Sequence, residues 1–192
     1  MYKWRSLVLV ALALLILGCS TAGVMETNDP KVKMAQANEL LKLNRPLAAE
    51  KMLHQALSIF QSQSNKEGEV EVNRRLGLFY SSPQYHGYAD YYKKHNEYDP
   101  TNKKALEYFE KSKAQAEQIK NYYTASNASF LIAMVHRQWN DKETTCQHLT
   151  NAIELNKKGV IKEPNKDIGL PSQYSSYEEF IRKGYMADIG CN

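Results

Sequence analysis

The stretch NKKALEYFEKSKAQA, residues 102–116, has a small residue, a bulky one four positions later and another small one three positions after that: Ala105, Phe109 and Ser112. At 3.6 residues per turn, these three side chains share one face of a helix. Small residues on such a face let a neighbouring helix approach closely. The spacing therefore predicts a helix that packs tightly against a partner helix.

The same spacing occurs twice more in the chain. The further occurrences are Ala49, Leu53 and Ala56 in PLAAEKMLHQALSIF and Thr145, Leu149 and Ala152 in KETTCQHLTNAIEL. Upstream of each of the three segments lies another apolar segment of helical period with a small residue at its centre. These central residues are Ala37, Gly77 and Ala133. Three helix pairs are predicted.

The intervals between matched positions indicate one repeat length. In the first and third pairs the two small residues have the same separation, whereas Gly77 and Ala105 of the second pair lie farther apart. Matched positions in successive pairs, such as Ala37 and Gly77, are about 40 residues apart. An interval that includes the segment between Gly77 and Ala105 is longer by the same excess. The sequence therefore predicts a period of about 40 residues with an insertion of about 16 residues in the second pair.

This pattern resembles the tetratricopeptide repeat and, equally, its Sel-like relatives. LGLFY, residues 76–80, followed by KALEYFEKS, residues 104–112, is the most specific match. The usual unit has about 34 residues, so a longer period implies longer helices or linkers. The resemblance implies an all-α fold, an antiparallel helix-pair solenoid over residues 31–157 with the insertion at about 81–100.

Residues 158–192 are predicted to form a loop and a C-terminal capping helix. Pro164, Gly169 and Pro171 interrupt helicity in the loop. The segment SSYEEFIRKGYM, residues 175–186, then begins with serines followed three positions later by glutamates, which is a capping-box signature. A terminal helix of this kind covers the last repeat of a solenoid.

The N-terminus has the pattern of a bacterial secretory signal. Lys3 and Arg5 precede an apolar run from Leu7 to Leu17, which is shorter than the roughly 20 residues needed to span a bilayer. The run ends in Ile16-Leu17-Gly18-Cys19, which resembles a lipobox. The resemblance implies that residues 1–18 are removed as a signal peptide and that Cys19 is lipidated, with residues 19–30 as a flexible tether. The alternative is an ordinary signal peptide, or a short anchor, with an incidental cysteine.

The lipobox resemblance also implies a location. Ser20 stands where an aspartate would typically retain a lipoprotein in the inner membrane, so the inner leaflet of the outer membrane, facing the periplasm, is favoured. In that oxidising compartment Cys146 and Cys191, the two remaining cysteines, are predicted to form a disulfide. Its loop would stabilise the fold by about 3 to 4 kcal/mol in the chain-entropy model. The alternative is two separately buried thiols.

Composition excludes one class of partner. Without Lys3 and Arg5 the chain has 23 basic residues against 21 acidic ones, a net charge of about +2, so no nucleic acid is expected as a partner. No catalytic motif occurs, and we expect neither enzymatic activity nor a cofactor. His86 and His95 lie near carboxylates, but their spacing matches no usual zinc pattern, so no metal site is predicted.

In the repeat family that the chain resembles, the first helix of each pair lines a concave groove that holds a partner peptide. The resemblance places eight side chains in that groove: Met34, Asn38, Leu41, Arg74, Leu78, Phe130, Met134 and Arg137. Methionine, aromatic and arginine side chains suit a protein-binding surface. The alternative for Phe130 and Met134 is that they belong to the core.

The stretch YSSPQYHGYADYYKKHNEYDPTN, residues 80–102, contains six of the 13 tyrosines. Tyrosine offers a large amphipathic contact area at low entropic cost. We therefore expect a recognition loop whose partner contacts are Tyr85, Tyr88, Tyr91, Tyr92 and Tyr98, and whose removal leaves the helix pairs folded. Alternatively, the rings pack over the edge of the repeats.

The predicted function is that of a lipid-anchored adaptor or assembly factor. Its partner would be another envelope protein or peptide segment, within a secretion system, a pilus or a cell-wall complex. The membrane contact would be made by the lipid on Cys19. The alternatives are an enzyme or small-ligand-binding protein that uses the tyrosine-rich insertion, and a self-associating structural protein of the envelope.

Overall fold

A computed structural model describes residues 26–164 and 168–191, and all regular elements in these ranges are helical. The helices are α1 Pro30–Lys42, α2 Pro46–Ser62, α3 Lys66–Tyr80, α4 Pro83–Gly87, α5 Ala89–Lys94, α6 Lys103–Gln118, α7 Tyr122–Gln138, α8 Lys142–Lys162, α9 Tyr177–Ile181 and α10 Ala187–Ile189. A π-helical turn, Arg182–Met186, joins the last two. The predicted signal peptide, Cys19 and the first part of the tether lie outside the described residues.

The long helices pack as pairs. Helix α1 lies against α2, α3 against α6, and α7 against α8; α2 also packs on α3, and α6 on α7. The result is a row of antiparallel helix pairs, compatible with a helical repeat. The prediction of an all-α, solenoid-like fold is confirmed. The short helices α4 and α5 occupy the predicted insertion between α3 and α6.

The same turn connects the long helices at four places. In each turn one residue has a left-handed backbone, and the four are Asn44, Ser64, Lys120 and Asn140. In each turn, the backbone N–H of the residue that follows donates to the carbonyl five residues before it, as in the Schellman motif. These four hydrogen bonds measure 2.8 to 3.0 Å and join Arg45 to Leu40, Asn65 to Phe60, Asn121 to Ala116 and Asp141 to His136. Three residues suffice for each turn, which makes successive helices antiparallel.

The small residues lie where helices approach most closely. Ala37, Ala49, Ala105, Ala133 and Thr145 all have 0% exposure. Gly77 faces the ring of Phe109, and a Cβ atom added there would overlap that ring. The second pair is thus closed by a small residue on α3 and a bulky one on α6.

The C-terminal helix packs on the last pair. The Ser176 hydroxyl accepts a hydrogen bond from the Glu179 N–H at 3.1 Å, and Glu179 in turn accepts one from the Ser175 N–H at 2.8 Å. Ile181 and Met186 are buried in one cluster with side chains of α7 and α8. A disulfide joins Cys146 of α8 to Cys191, with Cα atoms 5.6 Å apart. The predicted Cys146–Cys191 pairing is therefore present.

The close contact between α3 and α6 gives a testable prediction. Gly77→Ala should lower the free energy of unfolding by about 1 to 3 kcal/mol, because the new methyl group displaces the Phe109 ring in a packed core. Gly87→Ala is the control, since nothing lies within 4 Å of a Cβ atom added there. Urea unfolding of both variants measures the difference. Equal stabilities would show that the α3–α6 contact is looser than described.

Candidate functional site

A groove runs along the inner face of the first helices of the pairs. It consists of two clefts, with volumes of about 450 and 410 Å³, and Glu71 lines both of them. The first is lined by Lys31, Met34, Ala35, Asn38, Phe60, Asn65, Glu67, Gly68, Glu71 and Arg75. The second is lined by Glu71, Arg74, Tyr123, Thr124, Ser126, Asn127, Asn156, Ile168 and Tyr177. We call the two clefts together the inner-face groove.

Two arginines and one glutamate occupy its centre. The Arg74 guanidinium donates two hydrogen bonds to the Glu71 carboxylate, at 2.9 and 3.0 Å, and Arg75 donates a third at 2.6 Å. Burial by itself raises the pKa of the Glu71 carboxyl, but the hydrogen bonds and charges of Arg74 and Arg75 outweigh it and hold the pKa below its usual value. The cluster therefore carries one net positive charge where the two clefts meet.

The structure brings only some of the predicted groove residues together. Met34, Asn38 and Arg74 line the inner-face groove. Leu41 packs against the core instead, and Leu78 is 38% exposed but lines neither cleft.

In the third pair the groove prediction is corrected. Phe130 and Met134 pack in the cluster that holds the C-terminal helix, with the Phe130 and Tyr185 rings 4.8 Å apart. That helix covers the surface on which a partner was expected. Arg137 is exposed near the end of α7 and does not line the groove. The third pair contributes Tyr123, Thr124 and Asn127 in their place.

The tyrosine-rich insertion belongs to the core, and the prediction of a recognition loop is corrected. Tyr85 and Tyr92 have 0% exposure, and Tyr88 and Tyr98 are partly buried against the same cluster. Of the five predicted partner contacts only Tyr91, at 44%, is exposed. The rings pack because α4 and α5 fold back over the ends of the helix pairs.

The Glu50 carboxylate is the centre of this packing. Its side chain retains only 16% exposure, and it accepts hydrogen bonds from the Tyr80 hydroxyl at 2.5 Å and the Tyr92 hydroxyl at 2.7 Å. Tyr80 is further enclosed by the stacked ring of Tyr108 and by the Lys104 ammonium group, 3.9 Å from its centroid. One carboxylate therefore joins α2 of the first pair, α3 of the second and α5 of the insertion.

The insertion contacts all three helix pairs. The Tyr88 hydroxyl donates to the Asn44 carbonyl at 3.2 Å in the first turn. At its other end, the Trp139 indole N–H donates to the Thr101 carbonyl at 2.7 Å, and the Asn102 amide donates to Gln138 at 2.6 Å. These contacts reach the end of α7 and the turn that follows it. The insertion therefore acts as a brace along one edge of the molecule.

The two histidines considered as metal ligands have other partners. His86 lies 3.0 Å from the Asn102 side-chain oxygen and 3.2 Å from the Tyr98 hydroxyl, and His95 contacts the Tyr91 carbonyl at 2.7 Å. Within residues 26–164 and 168–191, no group of three or more His, Cys, Asp or Glu side chains is arranged to hold a metal ion.

Sequence reasoning missed Glu50 and Glu71. The tyrosine partners of Glu50 are 30 and 42 residues away in the chain, so no local pattern identifies it. Glu71 is different, because Arg74 and Arg75 follow it at three and four positions. That spacing on a helix already indicates a charged cluster.

Comparison with known proteins gives no family for this chain. Searches against protein-family models, curated proteins and solved structures find no match to it. Among the helices of the described residues, none has both the length and the apolar character of a membrane span.

Tyr92→Phe tests the Glu50 centre. The variant removes a hydroxyl that donates to a largely buried carboxylate, so the free energy of unfolding should fall by about 1.5 to 3 kcal/mol at neutral pH. Tyr91→Phe, at a half-exposed ring, should change it by less than about 0.5 kcal/mol. Chemical unfolding of both variants beside the parent gives the values. If Tyr92→Phe lowers the free energy of unfolding as little as Tyr91→Phe does, the hydrogen bond from Tyr92 to Glu50 is contradicted.

The same network predicts a pH dependence. Burial and the Glu50 carboxylate raise the pKa of Tyr80 and of Tyr92 above the ordinary 10.0. The unfolded chain loses these protons near pH 10 while the folded chain keeps them, so stability is full below about pH 10 and falls as pH rises above it. Tyr92→Phe should make that fall shallower. An unchanged slope in urea unfolding between neutral pH and about pH 11 would contradict the pKa shift.

Proposed function

We propose that this chain is a tetratricopeptide-like repeat lipoprotein of the bacterial envelope, which holds a partner protein in its inner-face groove. The observation that carries the proposal is the Glu71–Arg74–Arg75 cluster at the centre of an open groove. Arginine forms bidentate bonds with carboxylates, and here Glu71 holds both guanidinium groups in place. An acidic group on a partner peptide can therefore bind without ordering long, free side chains.

The groove suits a peptide segment better than a small molecule. Its two clefts share Glu71 as a lining residue and are lined mainly by side chains of α1, α3 and α7, so an occupant that fills both clefts crosses all three helix pairs. Ile168 offers an exposed apolar side chain at one side of the charged centre, the buried Met34 lies in the wall of the other cleft, and Asn38 and Asn127 offer amide groups. Such a mixture of apolar and polar groups is usual in protein interfaces.

The packing of the insertion favours the groove over the alternative site. An enzyme or ligand site in the tyrosine-rich insertion needs accessible rings, and Tyr85 and Tyr92 have none of their surface exposed. The insertion instead supports the edge of the solenoid. We therefore assign partner binding to the groove and a structural role to the insertion.

The anchor is proposed from the N-terminal sequence. Ile16-Leu17-Gly18-Cys19 has the pattern of a lipobox, and lipidation at Cys19 would leave the helix pairs attached to the membrane by residues 19–29. Ser20 favours the outer membrane, with the repeats in the periplasm. Mass spectrometry of the protein from a membrane fraction tests this step. An N-terminus at Cys19 with acyl chains is expected, and an unmodified Cys19 contradicts the anchor.

Charge reversal in the groove tests partner binding. A photoreactive amino acid at Asn38 or Asn127, both exposed and both lining the groove, should crosslink one protein in cells, which mass spectrometry identifies. Arg74→Glu should reduce that crosslink about tenfold or more, since losing a charged hydrogen bond costs about 1.5 to 3 kcal/mol and repulsion adds to it. The purified partner should show the same loss of affinity.

Lys51→Glu is the matched control, because it makes the same change of charge at an exposed position of α2 outside the groove. Circular dichroism and thermal melts establish that both variants remain folded. If Arg74→Glu and Lys51→Glu bind the partner equally well, the groove is not the site.

A further inference from the structure

The last turn of α8 exposes two aliphatic side chains. Ile161 is 84% exposed, more than any other large apolar side chain among the described residues, and Val160 beside it is 45% exposed. Lys157, Lys158 and Lys162 flank this pair, and all three are exposed. An aliphatic pair this exposed, inside a group of lysines, is not explained by the packing of the helix pairs.

The pair lies at a defined edge of the molecule. Because successive long helices are antiparallel, α1, α3 and α7 begin at the edge where α2, α6 and α8 end. The end of α8 is fixed there by two contacts. The Lys162 ammonium group donates to the Lys120 carbonyl at 3.0 Å, and the Tyr123 hydroxyl donates to the Glu163 carbonyl at 2.8 Å. We call this the tether edge, because the chain from Cys19 enters it at Pro30.

The opposite edge has a different occupant. There the insertion crosses the ends of the helices and bonds to the turns after α1 and α7. An exposed aliphatic side chain occurs there too, Leu43, which is 68% exposed and lies between Lys42 and Arg45. The two edges thus offer similar side chains, and the attachment of the tether distinguishes them.

The length of the tether determines what the edge can reach. Pro30 lies eleven positions after Cys19, a stretch that spans at most about 36 to 40 Å when fully extended. A lipid on Cys19 therefore keeps the tether edge close to the bilayer, and attachment at this one point leaves the orientation of the repeats unfixed. A second contact with the membrane at this edge would fix it.

Charge favours a phospholipid surface as the occupant. Lys158 and Lys162 flank Ile161 on α8, and Lys162 donates to the carbonyl of Lys120. The carboxylates of the same segment are Glu154 and Glu163, while Lys157 pairs with Glu178 at 2.8 Å. Lysine side chains attract anionic headgroups, and aliphatic side chains enter the boundary between headgroups and acyl chains. Elsewhere on this edge the chain carries Glu26, Asp29 and Glu67 beside Lys31, and Lys66 pairs with Glu69 at 2.8 Å, so the positive excess is local to the end of α8.

We propose that the tether edge docks on the bilayer through Val160, Ile161 and the surrounding lysines. The proposal rests on the proposed lipidation of Cys19, which supplies the anchor. Docking turns the insertion away from the membrane and holds the inner-face groove at a constant height above it. A partner is then presented at one orientation instead of many.

The test attaches the protein to vesicles chemically, so it does not depend on lipidation in cells. The chain from residue 19 has Cys19 as its one cysteine outside the disulfide, and a maleimide-bearing phospholipid couples to it. The vesicles are mostly phosphatidylethanolamine with a minority of phosphatidylglycerol. A diazirine amino acid replaces Ile161 in one protein and Leu43 in the matched control. Labelled phospholipid that becomes bound to the protein after irradiation is counted.

The diazirine at position 161 should crosslink about fivefold more phospholipid than the diazirine at position 43. The double variant Lys158→Glu with Lys162→Glu should reduce that excess several-fold, and neutral phosphatidylcholine vesicles should do the same. Equal labelling at positions 161 and 43 overturns the proposal. In cells, crosslinking of position 161 to a protein instead of lipid also overturns it, because the edge is then a protein interface. An unacylated Cys19 contradicts the anchor alone and leaves the vesicle result to decide the edge.

Discussion

The Glu50 carboxylate is the contact on which the arrangement of the helix pairs most depends. It lies on the second helix of the first pair and is almost enclosed, yet it accepts hydrogen bonds from Tyr80 and Tyr92. A carboxylate taken out of water must be paired, and each charged hydrogen bond is worth about 1.5 to 3 kcal/mol. The two tyrosines come from the second pair and from the insertion, so satisfying one charge joins three parts of the chain.

This contact explains why a tyrosine-rich insertion is compatible with a helix-pair fold. Its rings pack on one another and on the ends of the helices, and its polar groups bond to the turns of the first and third pairs. The brace lies along one edge, so the inner face of α1, α3 and α7 stays open. That inner face carries the Glu71–Arg74–Arg75 cluster, and the edge opposite the brace carries Ile161. The proposed partner binding and the proposed membrane contact thus lie on surfaces separate from the brace.

Local patterns predicted most of the fold. Small residues at matched spacing identified the helix contacts, and Ala49, Ala105 and Thr145 are all fully buried. The cysteine pair was also predicted, from composition and compartment. The partner contacts were predicted less well, because exposure depends on residues distant in the chain. Tyr92 is enclosed by a carboxylate 42 residues away, and Phe130 is covered by Tyr185 of the C-terminal segment, beyond the whole of α8.

The most direct test of this account replaces residues 84–99 by a short glycine-serine linker. If the insertion is part of the core, the deletion leaves Tyr80 and Glu50 without their cover, and the melting temperature should fall sharply with loss of cooperative unfolding. If the insertion is instead a recognition loop, the deleted chain keeps its helicity and melting temperature and loses only its partner. Thermal unfolding followed by circular dichroism, beside the parent, distinguishes the two. An unchanged melting temperature would contradict the central role of Glu50.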